Sequence, residues 1–296
     1  MTEINKIASK HLGQQNQYID VYNPSLLVKI PRHFNRTEYG INDKNLPFVG
    51  YDVWNAYEVS VITAKGLPIN FVLKMIVPAE SECIVESKSF KLYLNSFNMT
   101  KLGSNTRECQ EELSSTIKDD LTKLLDTNIQ IYLHNKFTEP FSIQNTYSDI
   151  GTLIDLDQIN FSEFNSDKSS LKIAQKSNET KKIKFSTNLL RSNCRVTNQP
   201  DWGDAYICLE TNNVPCYKSI AKYIVGHRQL NHFHEEIAEM LFMHFLAAYE
   251  PKKLMVTCLY TRRGGIDINP IRSTHAELIP TQFISSNTLN QKTLRQ

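Results

Sequence analysis

A cysteine set between two cations is the group of this 296-residue chain with the most evident chemistry. Cys194 lies in LLRSNCRVTNQPDWGD between Arg191 and Arg195, and neighbouring cations favour the thiolate, the form of sulfur that attacks carbon. Asp201 follows Pro200 and precedes Trp202, which reads as a turn beside a large apolar ring. Burial against that ring would raise the carboxyl pKa towards that of a working general acid. The competing reading is a small buried thiol and an Asp that caps a turn.

Three further segments carry candidate groups. In ECIVESKSFKLYLNSF a strand delivers Glu86 to the start of a helix whose first turn holds Ser87, Lys88 and Ser89, with Lys91 following. Free N–H groups there, with two lysines, suit an anion; a capped amphipathic helix with solvated lysines is the plainer alternative. In LYTRRGGIDINPIRS, Arg262 and Arg263 precede Gly264 and Gly265, and forked guanidiniums beside a flexible backbone suit a diphosphate or a 2′-phosphate, against an ordinary basic turn. NHFHEE places His232, His234, Glu235 and Glu236 at the start of a long predicted helix over 229–249, where His234 falls within the apolar stripe. His232 and His234, two apart, do not face each other on a helix and H-E-x-x-H is absent, so no metal site is expected. A satisfied core histidine competes with a His and Glu bordering a pocket.

The ten glycines contain no pair at G-x-G spacing, which excludes the Rossmann fingerprint and the Walker loop. A net charge of +2 gives no global field for nucleic acid or anionic lipid. No secretory signal or membrane-length apolar run is apparent, and six cysteines without C-x-x-C read as reduced thiols in the cytoplasm.

The elements that must position these groups fall into two similar series. About fifty irregular residues lead to a predicted hairpin over 57–62 and 69–77, a short strand ending near Glu86, a helix from Ser87, a helix from Thr106, and an alternating strand at Ile129, Ile131 and Leu133. A polar stretch over 141–182 reads as a surface connection. Strands over 183–185 and 205–209, helices over 218–225 and 229–249, and a strand over 254–260 then repeat the order.

ESKSFKLYLNSF, LLRSNCRVTNQPDWGD, FHEE and TRRGGIDINP, in this order, together resemble the long, two-module form of the NADPH-dependent 7-cyano-7-deazaguanine reductases, the QueF family. The resemblance implies an α+β architecture of tandem tunnelling-fold modules, each an antiparallel sheet backed by two helices: 1–145, a connection over 146–182, and 183–296. It implies four-electron reduction of the substrate nitrile to the aminomethyl product in queuosine tRNA-modification biosynthesis. Cys194 would form a covalent thioimide and Asp201 would protonate the nitrogen. Val85, Glu86, Ser87, His234 and Glu235 would hold the deazaguanine, and Ser87, Lys88, Arg263 and Gly264 the NADPH, with Arg262 as an extra contact. The expected assembly is a cytoplasmic homodimer without metal, membrane or direct nucleic-acid contact. Three alternatives are a non-reducing relative of the same fold that adds ammonia or another nucleophile to the same nitrile, against which Arg262, Arg263 and the helix start at Ser87 argue; a non-catalytic module that binds a purine or pterin; and a thiol hydrolase, for which no histidine is marked out as partner to Cys194.

Overall fold

The computed structural model describes residues 6–7, 18–138, 140–164 and 167–295; most of the first seventeen residues, read from sequence as irregular, lie outside the described residues. The first series comprises β1 (Lys29–Pro31), β2 (Val49–Ile62), β3 (Pro68–Pro78), β4 (Cys83–Val85), α1 (Ser87–Asn95), α2 (Thr106–Leu125) and β5 (Gln130–His134). The second comprises β6 (Ile173–Thr187), β7 (Arg191–Cys194), β8 (Pro200–Pro215), α3 (Tyr217–Val225), β9 (Asn231–His232), α4 (His234–Tyr249), β10 (Lys253–Tyr260) and β11 (Ile266–Ser273). Each long hairpin, β2–β3 or β6–β8, is followed by two helices and a strand that pairs antiparallel with the second hairpin strand.

The two sheets are continuous. β11 pairs with β2 from Ile266↔Ala56 to Ser273↔Val49, giving the order β6-β8-β10-β11-β2-β3-β5. All four helices cover one face. Phe90, Tyr93, Leu113, Ile117 and Leu121 of α1 and α2 pack on Trp54, Leu73 and Met75, and Ile220, Ile224, Ile237, Leu241 and Phe245 of α3 and α4 pack on Ile207, Leu209 and Val256. The opposite face buries Val53, Ile76, Tyr206, Met255 and Ile271 beneath Ile143 and the chain's tail, which contributes Ile279 and Phe283. Lys74 fastens that tail by donating to the carbonyls of Ser285 and Thr288 at 2.9 and 2.8 Å.

The duplication extends to local hydrogen bonds. At the start of α1, Glu86 N–H donates to Val28 O, Val28 N–H to Ser89 Oγ, and Ser89 Oγ to Glu86 O. At the start of α3, Cys216 N–H donates to Lys172 O, Lys172 N–H to Ser219 Oγ, and Ser219 Oγ to Cys216 O. Cys216 thus stands where the first series has Glu86.

Three expectations change. β6 begins at Ile173, inside the stretch read as connection, because residues 173–182 are mostly exposed and polar and show no alternation. The long helix begins at His234 rather than Gln229, since Asn231 and His232 bridge in parallel to β7. The segment before β2 is not featureless: it forms β1 on β4 and a short helix, His33–Arg36, whose Arg36 is buried.

Candidate active site

β7, β8 and β9 form a small ribbon at the end of the main sheet, and their register decides which side chains meet. Asp201 pairs with Ser192, and His232 pairs with Cys194 in parallel. Paired residues project from the same face, so Cys194, Asp201 and His232 share one face, and Arg191 and Trp202 share the other. The chain turns sharply after the thiol: Asn198 has φ 56° and its N–H donates to Cys194 O at 3.1 Å.

The shared face closes over a cavity of about 50 Å³ lined by Cys194, Asp201, His232, Phe233 and His234 from the second half, Glu86 and Ser87 from the first, and Arg263, Ile266 and Ile268 from the turn and strand between them. Arg263 Nη1 lies 2.6 Å from Asp201 Oδ1, and His234 Nε2 lies 3.4 Å from Asp201 Oδ2. The His234 ring stacks on Tyr260 with centroids 3.7 Å apart and planes 4° from parallel. Burial pushes the Asp201 carboxyl up, but its contacts with His234 and the Arg263 guanidinium outweigh this and hold it below the ordinary carboxylate value.

This differs from the sequence expectation in two ways. Asp201 sits in strand β8 rather than a turn, and Trp202 points to the other face, where Arg191, Arg228 and Arg295 surround its ring. The carboxyl is therefore lowered by His234 and Arg263, not raised by the indole. Nor are the sequence neighbours the cations at Cys194: Arg195 pairs with Glu236 at 2.7 Å, Arg191 donates to Arg228 O, and it is the Arg263 guanidinium that shares the cavity with Cys194. A residue sixty-nine positions away supplies that charge, which no local pattern around the cysteine reveals.

Glu86 caps α1, its carboxylate accepting N–H bonds from Lys88 at 2.8 Å and Ser89 at 2.7 Å. Two of the donors expected to meet an anion are thus already engaged. Burial nevertheless leaves the Glu86 carboxyl raised. Val85 and Glu235 lie outside the cavity lining; Glu235 is buried behind it, pushed up to about 7 by burial and by Asp52, with Oε1 lacking a hydrogen-bond partner. Arg262 stacks on Tyr57 at 4.4 Å. Gly264 and Gly265, at φ 62° and 78°, turn the chain beside α1, where a Cβ on Gly264 would meet Lys91 Cδ at 3.2 Å. Lys88, Lys91, Arg262 and Arg263 therefore border one region, and such a donor set fits a ligand carrying several phosphates. Among the described residues no group of three His, Cys, Asp or Glu could hold a metal ion, and no helix is long and apolar enough to cross a membrane.

Sequence reasoning missed the charge network behind the cavity. Glu239, on α4, accepts from Arg36 at 2.9 and 2.8 Å and from Arg272 at 3.0 and 2.9 Å, while Asp52 faces Arg272 at 2.8 Å and also pairs with Arg32. Arg32, Arg36 and Asp52 come from the first half, and Glu239 and Arg272 from the second. Glu239 lies near the middle of α4, where a carboxylate among apolar residues is the one visible sign.

Comparison with known proteins agrees with the motifs. Residues 18–133 match the family described as nitrile reductase, 7-cyano-7-deazaguanine-reductase N-term, and residues 200–278 match that described as QueF-like protein. The chain is 37% identical over 281 residues to an NADPH-dependent 7-cyano-7-deazaguanine reductase of Colwellia psychrerythraea, covering 94% of this chain and 95% of the relative. It is 39% identical over 265 residues to the enzyme of that name from Coxiella burnetii, covering 89% and 91%. Among solved structures, the apo archaeosine synthase QueF-Like aligns with TM-score 0.29 and 20% identity over 33% of this chain and 95% of its own.

Proposed function

Because the chain belongs to the NADPH-dependent 7-cyano-7-deazaguanine reductase family, it reduces the nitrile of that base to the aminomethyl group, and we propose that the reaction runs through a thioimide on Cys194. The observation that carries this reading is the meeting of Cys194, Asp201 and Arg263 at one cavity with Glu86 and His234.

A nitrile is a poor acceptor of hydride, and addition of sulfur converts it into a C=N that accepts hydride more readily. In the first step the Cys194 S–H bond breaks, an S–C bond forms, and the thiol proton ends on the nitrile nitrogen. Asp201, ionised between Arg263 and His234, takes that proton and gives it to nitrogen, ending as the carboxylate it began as. Glu86, Ser87 and His234 hold the base, supported by Val85 and Glu235; a guanine-like edge presents donors, and Glu235 Oε1 and His234 Nδ1 are buried polar atoms without partners. NADPH, when bound, supplies the two hydrides of the four-electron reduction. Ser87, Lys88, Arg262, Arg263 and Gly264 are the residues to hold it.

The cavity has room for a few waters, about 50 Å³, and on this reading its lining widens to admit the bicyclic base. Arg263, 35% exposed at its side chain and carried on the Gly264–Gly265 turn, is the group placed to do so. The reading divides the chain into two tunnelling-fold modules sharing one composite site, the second starting at β6. A cytoplasmic homodimer that does not bind nucleic acid directly completes it, in keeping with six free cysteines and with β5 pairing on one side alone among the described residues.

For Asp201→Asn the expected result is retained ligand binding with thioimide formation slowed about 10²–10⁴-fold, the usual worth of a positioned proton carrier. Intact-mass measurement of the adduct without NADPH checks it. Unaltered adduct kinetics would remove Asp201 from the proton path.

A further inference from the structure

Each hydride transferred to a C=N carbon leaves an electron pair on nitrogen that must be protonated, so two protons beyond the thiol's own are consumed. Once Asp201 has returned the thiol proton it is again a carboxylate held by Arg263 and His234, with nothing to donate. Each transfer therefore calls for a proton carrier at the cavity that is not held as a carboxylate between two partners, and His232 is a lining imidazole with no role yet assigned.

Its placement is specific. The parallel register His232↔Cys194 sets the imidazole beside the thiol on the same face of the ribbon. The residue is 8% exposed and its Nδ1 is buried without a hydrogen-bond partner. Behind it stands His227, its ring centroid 6.2 Å away and its plane tilted by 29°. His227 Nδ1 lies 2.9 Å from Tyr223 O. A carbonyl only accepts, so that nitrogen carries the proton and His227 Nε2 is a bare acceptor, itself buried and unpartnered. The His232 imidazole is thus held beside the reacting centre with a buried nitrogen that no protein group engages.

We propose that His232 is a further catalytic residue of this reductase, the group whose ring N–H delivers the proton to the substrate nitrogen in each hydride transfer. The inference rests on the reading of Cys194 and Asp201 given above. The step balances: a C–H bond forms at carbon, the π pair of C=N moves to nitrogen, the N–H bond of His232 breaks as nitrogen takes its proton, and solvent water reprotonates the ring; between the two transfers the S–C bond breaks with its pair leaving on sulfur, which takes a proton from nitrogen as the C=N re-forms and Cys194 is released as the thiol. The substrate gains two electrons and NADPH loses them. Burial, with the nearby His227 and Arg195, pushes the His232 imidazole down to about 3, so the donor is the uncharged ring. An uncharged imidazole suffices, because a nitrogen that has just received an electron pair is the stronger base.

The experiment uses the full chain with 7-cyano-7-deazaguanine and two variants of different shape, His232→Gln and His232→Phe, each checked for an unaltered circular dichroism spectrum. Without NADPH, both are expected to form the Cys194 adduct to the unaltered extent by intact mass. With NADPH, its consumption is expected to fall about 10²-fold while KM for the nitrile stays within about threefold. In the unaltered protein, the ¹⁵N resonances of the His232 ring are expected to move on adduct formation in the absence of NADPH. Consumption within about threefold of the unaltered rate overturns the inference. So do loss of the adduct in both folded variants, which would make His232 a support for Cys194, and ring resonances that do not respond. No adduct with the unaltered protein overturns the Cys194 reading and this inference with it.

Discussion

Cys194→Ala is expected to abolish covalent capture of the nitrile and to lower NADPH consumption by roughly 10⁴–10⁶-fold, the range for removal of a covalent nucleophile. Ligand binding should survive, because Glu86, Ser87 and His234 are untouched and the change deletes a single buried sulfur, costing about 1 kcal/mol of stability. Intact mass after mixing with the nitrile, and NADPH absorbance in a parallel reaction, read the two effects separately. An adduct that persists in the variant would have to sit on Cys83, Cys109, Cys208, Cys216 or Cys258, none of which lines the cavity.

Glu239→Ala is expected to destabilise the fold by about 3–5 kcal/mol, as removal of one partner from a buried ion-pair network does. The variant leaves Arg36 and Arg272, 1% and 0% exposed, without the carboxylate that both donate to. That loss is a large fraction of a typical unfolding free energy of 5–15 kcal/mol. Urea denaturation followed by circular dichroism measures it, and a change below about 1 kcal/mol would show that the arginines find other partners. The same network fixes an acid limit. Burial raises the Glu239 and Asp52 carboxyls, but the arginines outweigh it and hold both below their ordinary values. Their contribution is therefore complete above about pH 5 and is lost as pH falls further, through the unfolded and then the folded values.

What the sequence disclosed was what local rules govern. The helix at Ser87 was legible because an apolar spacing at Phe90, Tyr93, Leu94 and Phe97 follows a residue able to cap it, and Glu86 does cap it. The β2–β3 hairpin was legible from two apolar runs around a turn. The first half of β6 was not, because a strand exposed on both faces has no apolar alternation to detect. His232 was read onto a helix because the 3.6-residue pattern carried backwards across it, and the competing parallel bridge to Cys194 involves a strand thirty-eight residues earlier. The cations at the site failed for the same reason. Arg191 and Arg195 flank the thiol along the chain, but alternation and the pull of Glu236 take them away, and Arg263 arrives through tertiary folding. The buried Arg32 and Arg36 sat in a segment whose polarity resembled that of a loop.

The seam between β11 and β2 limits how the site can open. Eight consecutive residue pairs, from Ile266↔Ala56 to Ser273↔Val49, lie midway along the sheet, and Glu239 and its arginines clasp the two halves behind them. Amide protons along such a line exchange only when the whole fold opens, whereas those of β5 and the start of β6 are released by local fraying. Glu86 and Cys194 therefore cannot part by a hinge between halves. On the proposed reading the cavity widens where no ladder crosses it, at the Arg263–Gly264–Gly265 turn beside the sharp loop after Cys194, so that admitting the base and breaking the Arg263–Asp201 pair would be a single event.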